Sequence, residues 1–172
     1  MQFLITFFML FHSVFAFSQP EVKALRQLFF EARDSEKKAD ELYDKVGDYQ
    51  GNSAILIAYK AGAHALKAKY GFNPMSKLKH VKHSQQYFSE AVQRDPADLE
   101  IRFMRYAVEV QTPAMLGYSE HVEDDKALLL KGLREYPASG FTPETGRIAR
   151  DFLRQHCACS SSEKEFLQQM QI

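Results

Sequence analysis

Two opposed stripes of apolar residues mark the stretch between Asp95-Pro96 and Thr112-Pro113. The stripes consist of Leu99, Phe103, Tyr106 and Val110 on one side, and of Ile101, Met104 and Val108 on the other. Spacings of three and four residues place each stripe on one face of an α-helix. Because both faces need cover from water, the pattern predicts a helix that lies inside a stack of other helices.

The rest of the chain shows the same helical spacing, interrupted by short turns at Gly, Pro and capping residues. Helices are predicted over 20–46, with a second start at Ser35, over 53–70 and over 75–94. A helical turn is predicted at 113–116, and two further helices begin at 119 and at 142. The last predicted helix begins at a capping box formed by Ser162 and Glu165. Nowhere do apolar and polar residues alternate as they do in a strand. The pattern predicts an all-α fold, an antiparallel stack of helical hairpins with about six to eight helices.

The helix over 53–70 carries a stripe of small residues, and the next helix carries apolar residues on one face and histidines on another. The small stripe consists of Ala54, Ala58, Ala61, Ala65 and Ala68, and a polar face carries Lys60, His64 and Lys67. A stripe without large side chains lets a neighbouring helix approach closely, so we expect Ala61 and Ala65 at a helix–helix contact. In helix 75–94, Leu78, Val81 and Phe88 define the predicted inner face, which would leave His80 and His83 pointing into solvent.

Four residues have the spacing of a known repeat helix. Ser84, Phe88, Ala91 and Pro96 follow the small, aromatic, Ala, Pro order of the second helix of a tetratricopeptide repeat. The preceding helix lacks the first-helix residues of that repeat, and no second copy follows at its period. The chain therefore resembles a degenerate, tetratricopeptide-like hairpin and differs from a regular array.

The mature chain as a whole also resembles a group of small, secreted, α-helical proteins of Bacteroidota-type bacteria. The residues that carry the resemblance are Ala68-Lys69-Tyr70, Phe72-Asn73-Pro74 with Lys77, Pro96, Glu100-Ile101-Arg102-Phe103 with Arg105, Pro113, Leu116-Gly117-Tyr118 and Asp125-Lys126. The resemblance implies an α-helical fold and export, and it brings no activity, cofactor or site residue with it.

Residues 1–18 differ in composition from the rest, since they contain no Lys, Arg, Asp or Glu and are mostly apolar. Small residues at Ala16 and Ser18 suit cleavage by signal peptidase, so we expect a Sec signal peptide and a periplasmic or secreted protein. An uncleaved anchor is the alternative, but the apolar run is shorter than the roughly 20 residues of a membrane-spanning helix. The expected mature part is a single α-helical domain, 19–172, in which 158–172 is a candidate loosely packed tail.

Charge is balanced overall but unevenly distributed. Lys plus Arg and Asp plus Glu number 22 each, which gives no reason to expect a nucleic-acid partner. No acidic residue occurs between Asp48 and Glu90, whereas lysines are frequent there. Lys77, Lys79, His80, Lys82 and His83 form a candidate surface for an acidic partner or an anion. The alternative is that these cations pair with the acidic segments 34–48 and 120–125.

A polar strip runs along the central helix and consists of Arg102, Arg105 and Glu109. Paired arginines can bind a carboxylate or phosphate ligand. The favoured interpretation is an internal set of ion pairs between helices, because buried charge must be paired. Arg105 and Glu109 have the spacing of a pair within one helix, and the acids of segment 120–125 are alternative partners.

Enzyme chemistry has little support in the sequence, which contains no nucleophile elbow, phosphate loop or dinucleotide fingerprint. His80 and His83 would share a metal only if His64, or His156 with the two cysteines, completed the site. Cys157 and Cys159 could form a disulfide, a redox-active pair or part of that metal site, and the favoured interpretation is that they are free thiols or thiols that staple the tail near a helix end.

The sequence therefore predicts a non-catalytic scaffold or protein-binding module of the cell envelope, with no cofactor and with another envelope protein as its partner. The alternatives are a protein that binds a small anion through Arg102, Arg105 and the lysines, and a metal- or thiol-dependent enzyme.

Overall fold

The computed structural model describes residues 19–113 and 118–172, and within them the chain forms eight α-helices and no strand. The helices are α1 (Gln19–Ala32), α2 (Glu36–Val46), α3 (Ala54–Tyr70), α4 (Pro74–Arg94), α5 (Leu99–Gln111), α6 (Val122–Arg134), α7 (Pro143–His156) and α8 (Ser161–Gln169). The all-α stack predicted from the sequence is confirmed. The expected signal peptide, 1–18, and most of the helical turn expected at 113–116 lie outside the described residues.

The starts of α2, α4, α5, α7 and α8 coincide with residues whose side chains accept backbone hydrogen bonds. The side chain of Asp98 accepts from the backbone N–H groups of Glu100 and Ile101, at 2.8 and 3.0 Å. Such caps satisfy amide groups that have no partner inside the helix. The capping box of α8 is formed by Ser160 and Glu163, two residues earlier than predicted. Both pairs have the required spacing, so the sequence pattern alone does not select between them.

The hydrophobic core has two parts, and α5 lies between them. Ile101 and Met104, which are 0% and 1% exposed, belong to the part formed with α1 to α4. Phe103 and Tyr106 belong to the part formed with α6, α7 and α8. The prediction that α5 is buried on two opposed faces is therefore confirmed.

Helix α3 is more deeply buried than its sequence pattern predicts. Every residue from Leu56 to His64 is buried, including Lys60 and His64 of the predicted polar face. Lys60 Nζ donates a 2.8 Å hydrogen bond to the backbone oxygen of Tyr49 and lies 4.2 Å from the centre of the Tyr87 ring. These contacts replace the water that a buried ammonium group loses.

The C-terminal segment 158–172 packs against the rest of the molecule. Leu167 on α8 is 1% exposed and belongs to the second part of the core. The side chain of Ile172 lies over Gly146 on α7, where a Cβ atom would approach it to 3.2 Å. In the part of the chain that the structure describes, no helix combines the length and the apolar character needed to cross a membrane.

Candidate functional site

A groove of about 1130 Å³ lies between α4 and α5, with α3 at its base. Its base and two walls are formed chiefly by Gly62, Ala65 and Leu66 on α3, Val81, Gln85 and Phe88 on α4, and Val108, Glu109 and Thr112 on α5. Phe29 and Phe30 of α1 also reach it. Most of these side chains are apolar, and charged residues such as Arg33, Lys77 and Glu90 also line the groove, so it is suited to a ligand with both apolar and polar groups.

The small residues of α3 explain why this space exists. Ala61 is 0% exposed and lies at a helix contact as predicted, whereas Ala65 is half-buried and faces the groove. The prediction that both alanines lie in tight helix contacts is therefore wrong for Ala65. At Gly62, an added Cβ atom would come within 2.6 Å of the Phe29 ring, so glycine is needed for α1 to approach α3.

One polar atom in the groove has no partner. Ser84 is 2% exposed and lines the groove from α4. Among the described residues, its Oγ atom is the buried side-chain nitrogen or oxygen that makes no hydrogen bond. Native proteins leave few such groups unsatisfied, because an unpaired buried hydroxyl costs about 1–3 kcal/mol.

The arginines of α5 are bound to one carboxylate of α6. Asp125 is 0% exposed, and its two oxygens accept from Arg105 Nε and Nη2 at 2.7 and 2.8 Å. Arg102 Nη1 donates to the same carboxylate at 2.9 Å. Two guanidinium groups on one buried carboxylate tie α5 to α6 and leave Arg102 and Arg105 engaged within the protein.

Glu109, the third member of the predicted strip, has a different partner from the expected Arg105. Its Oε1 atom lies 2.9 Å from His121 Nδ1, and its Oε2 atom accepts from the His121 backbone N–H at 3.0 Å. Glu109 and His121 both line the groove, so this pair closes part of its wall on the α5 side.

Three histidines meet on the side of α3 that faces α2 and α4. His64 Nδ1 and His80 Nδ1 are 2.9 Å apart, and the rings of His64 and His83 are stacked with centres 5.1 Å apart. Tyr43 of α2 packs edge-on against His64 and His80. The prediction that His80 and His83 point into solvent is therefore wrong. The same rotation of α4 leaves Leu78, expected on the inner face, 46% exposed.

The surroundings of this histidine cluster favour neutral rings. Burial, together with the charges that His80, His83, Lys60 and Lys79 carry, lowers the pKa of His64 from 6.5 to about 4. Burial and the neighbouring Lys67 lower the pKa of His80 as well. Protonation of the cluster would place new positive charge beside existing ammonium groups.

We expect the free energy of unfolding to fall as the pH drops from about 6.5 to 4. The folded-state pKa of His64 lies below the unfolded value, so unfolded chains bind an extra proton in this range and are favoured by acid. A shift from 6.5 to about 4 corresponds to roughly 3 kcal/mol. Urea titrations at several pH values measure the free energy of unfolding. His64→Gln should flatten the dependence, and His156→Gln, at an exposed position, should leave it unchanged. Equal slopes in all three proteins would contradict the assignment.

The predicted basic surface divides into separate parts. Lys79 and Lys82 are exposed, whereas Lys77 is half-buried and lines the groove. Lys67 of α3 pairs with Asp40 of α2 at 2.7 Å. The pairing with an acidic helix is thus made by Lys67, which lies outside the predicted surface, whereas Lys79 and Lys82 of that surface face solvent.

Cys157 and Cys159 form a disulfide in the segment that joins α7 to α8. Cys157 is the C-cap of α7, so the bridge lies outside the helix, and both cysteines pack against the second part of the core. The His156 ring packs at a tilt against the Phe152 ring, with ring centres 4.4 Å apart. The position of the disulfide is that of a structural staple at the end of α7.

No group of three or more His, Cys, Asp or Glu residues within 19–113 and 118–172 is arranged to hold a metal ion.

The chain matches no protein-family model, no curated protein and no solved structure. The resemblances to tetratricopeptide repeats and to a secreted bacterial group therefore remain predictions. The sequence does not identify Val108 and Thr112 as residues of the groove walls, because the groove exists only where α4 and α5 are separated in the folded structure.

Proposed function

We propose that the chain is a non-catalytic binding module that holds an apolar helical segment of a partner protein in the groove between α4 and α5. The observation that supports this most is the size and lining of the groove. Its volume of about 1130 Å³ lies near the top of the range of roughly 300–1,000 Å³ that is usual for small-molecule pockets, and the groove can therefore take one face of a helix. Helical walls with apolar side chains are the setting in which an amphipathic helix binds.

The alternative proposal, capture of a small anion by Arg102 and Arg105, is less well supported because both side chains already bind Asp125. The envelope location of the module is likewise a proposal, which rests on the composition of residues 1–18.

Ala65→Leu is the variant that tests the proposal, because it adds a branched side chain at the base of the groove. A displayed library of amphipathic peptides of about 12 residues, or roughly three helical turns, provides the probe. Peptides selected on the native protein should bind Ala65→Leu about tenfold more weakly, which is roughly 1.4 kcal/mol. The melting temperature should stay close to the native value, since Ala65 is only half-buried.

Ala127→Leu, at an exposed position on α6, is the matched control and should bind the same peptides with native affinity. Equal binding by the native protein and Ala65→Leu would contradict the proposal, because the peptides would then lie elsewhere. A library that yields no binder, while an apolar dye binds the native protein and is excluded from Ala65→Leu, would instead indicate a small apolar ligand.

A further inference from the structure

The turn between α3 and α4 carries an unusual concentration of exposed apolar surface. Phe72 is 94% exposed, Met75 75% and Leu78 46%, and these are the exposed large hydrophobic residues of the described chain. All of them fall within residues 72–78. Scattered exposed apolar side chains are normal, whereas a cluster of them marks an interaction surface.

The local structure holds these side chains outward in a fixed turn. The backbone N–H of Gly71 donates to the Lys67 carbonyl at 3.0 Å and ends α3. The Asn73 side chain accepts from the N–H groups of Met75 and Ser76, at 2.9 and 3.3 Å, and starts α4. Since both helix ends are capped, the exposure of Phe72 and Met75 is a property of a well-defined hairpin tip.

The residues that α3 and α4 supply around this tip are basic, while the turn between α1 and α2, with Asp34, lies beside the end of α3, where Tyr70 donates to the Arg33 carbonyl. No Asp or Glu occurs at positions 49–89, so neither helix supplies a negative charge near the turn. Lys69, Lys79 and Lys82 are exposed, and Lys77 is half-buried. An apolar tip ringed by lysines complements a surface that is apolar beneath a negatively charged layer, which is the structure of an anionic lipid bilayer.

We propose that the α3–α4 turn docks on bilayers that contain anionic lipids. Phe72 and Met75 enter the interface between headgroups and acyl chains, and Lys79 and Lys82 contact the headgroups. The contact is peripheral and reversible, because a few apolar side chains provide far less buried surface than a spanning helix. The contact uses Phe72, Met75, Lys79 and Lys82, none of which lines the groove, although Lys77 and Leu78 at the edge of the tip do.

The absence of Trp from the chain makes a direct test available. Phe72→Trp places the only indole at the tip. Its fluorescence should shift to shorter wavelength with vesicles of phosphatidylcholine and phosphatidylglycerol, and brominated acyl chains should quench it. The shift should be much weaker with pure phosphatidylcholine and should decline with added salt. Gln168→Trp, exposed on α8, is the matched control and should show no shift.

Charge variants examine the lysines separately from the apolar tip. Lys79→Gln and Lys82→Gln should each weaken binding to the anionic vesicles about fivefold, the effect expected for one interfacial lysine. Phe72→Ser with Met75→Ser should abolish binding. All four positions are exposed, so the melting temperature should remain native.

Three results would overturn the proposal. The first is an unchanged indole emission of the Phe72→Trp variant with anionic vesicles. The second is an equal shift with charged and uncharged vesicles, which would remove the role of the lysines. The third is a shift that appears on raising the protein concentration without lipid, which would show that the tip binds a second copy of the chain.

Discussion

Ile101→Asp is expected to leave the protein unfolded at room temperature. Ile101 is 0% exposed and lies in the part of the core that α5 shares with α1 to α4. An unpaired carboxylate at this position would lose its hydration, at a cost comparable to the total stability of about 5–15 kcal/mol typical of a domain. Circular dichroism at increasing temperature should show no cooperative transition.

Two further variants calibrate this result. Ile101→Val, which keeps the site apolar, should cost only about 0.5–1.5 kcal/mol in urea titrations. Phe103→Ala, on the opposite face of α5, should cost about 3–5 kcal/mol because it leaves a cavity in the second part of the core. A native melting curve for Ile101→Asp would mean that this face of α5 is exposed.

Asp125→Ala has the second largest expected effect, a loss of about 3–5 kcal/mol in the free energy of unfolding. The carboxylate is fully buried and accepts from Arg102 and Arg105. Its removal would leave the guanidinium group of Arg105, which is itself 4% exposed, without its ionic partner. Urea denaturation of the purified variant measures the loss.

The neighbouring residue supplies the control. Asp124 is exposed and on the same turn of α6, so Asp124→Ala should change the stability by no more than about 0.5 kcal/mol. Equal effects of the two substitutions would show that the loss of negative charge near the start of α6, rather than the buried pair, determines the stability.

The burial of α5 could be predicted because its sequence is apolar on two opposed faces. A helix of this kind is stable only where other helices cover both faces. The sequence predicts the partner of Arg105 only as Glu109 or one of the acids in segment 120–125. The choice of Asp125 depends on the angle at which α6 crosses α5. The pairing of Glu109 with His121 was not foreseen, since it depends on the path of the chain before α6.

The predicted inner face of α4 is right at Phe88 and wrong at Leu78, because two stripes of that helix cross at Phe88. Hydropathy selected Leu78 and Val81, whereas the helix packs through His80, Ser84 and Phe88. The facing surface of α3 contains His64, so aromatic and imidazole rings fit there. The tetratricopeptide spacing of Ser84, Phe88 and Ala91 marked the correct face, since all three residues are buried.

The groove and the exposed tip could not be derived from the sequence for different reasons. A groove is space between helices, and apolar residues that line it show the same periodicity as residues of a closed core. Phe72 lies in a turn, where no periodic pattern indicates whether a side chain is covered. Exposure in both places follows from the tertiary packing alone.

The binding of a helical segment in the groove is tested most directly by methyl NMR of the native protein with a peptide selected from the library. The account predicts that chemical-shift changes concentrate at the methyl groups of Leu66, Val81 and Val108, which line the groove from its three principal helices. Changes confined to Leu129, Leu153 and Leu167, in the second part of the core, would contradict it.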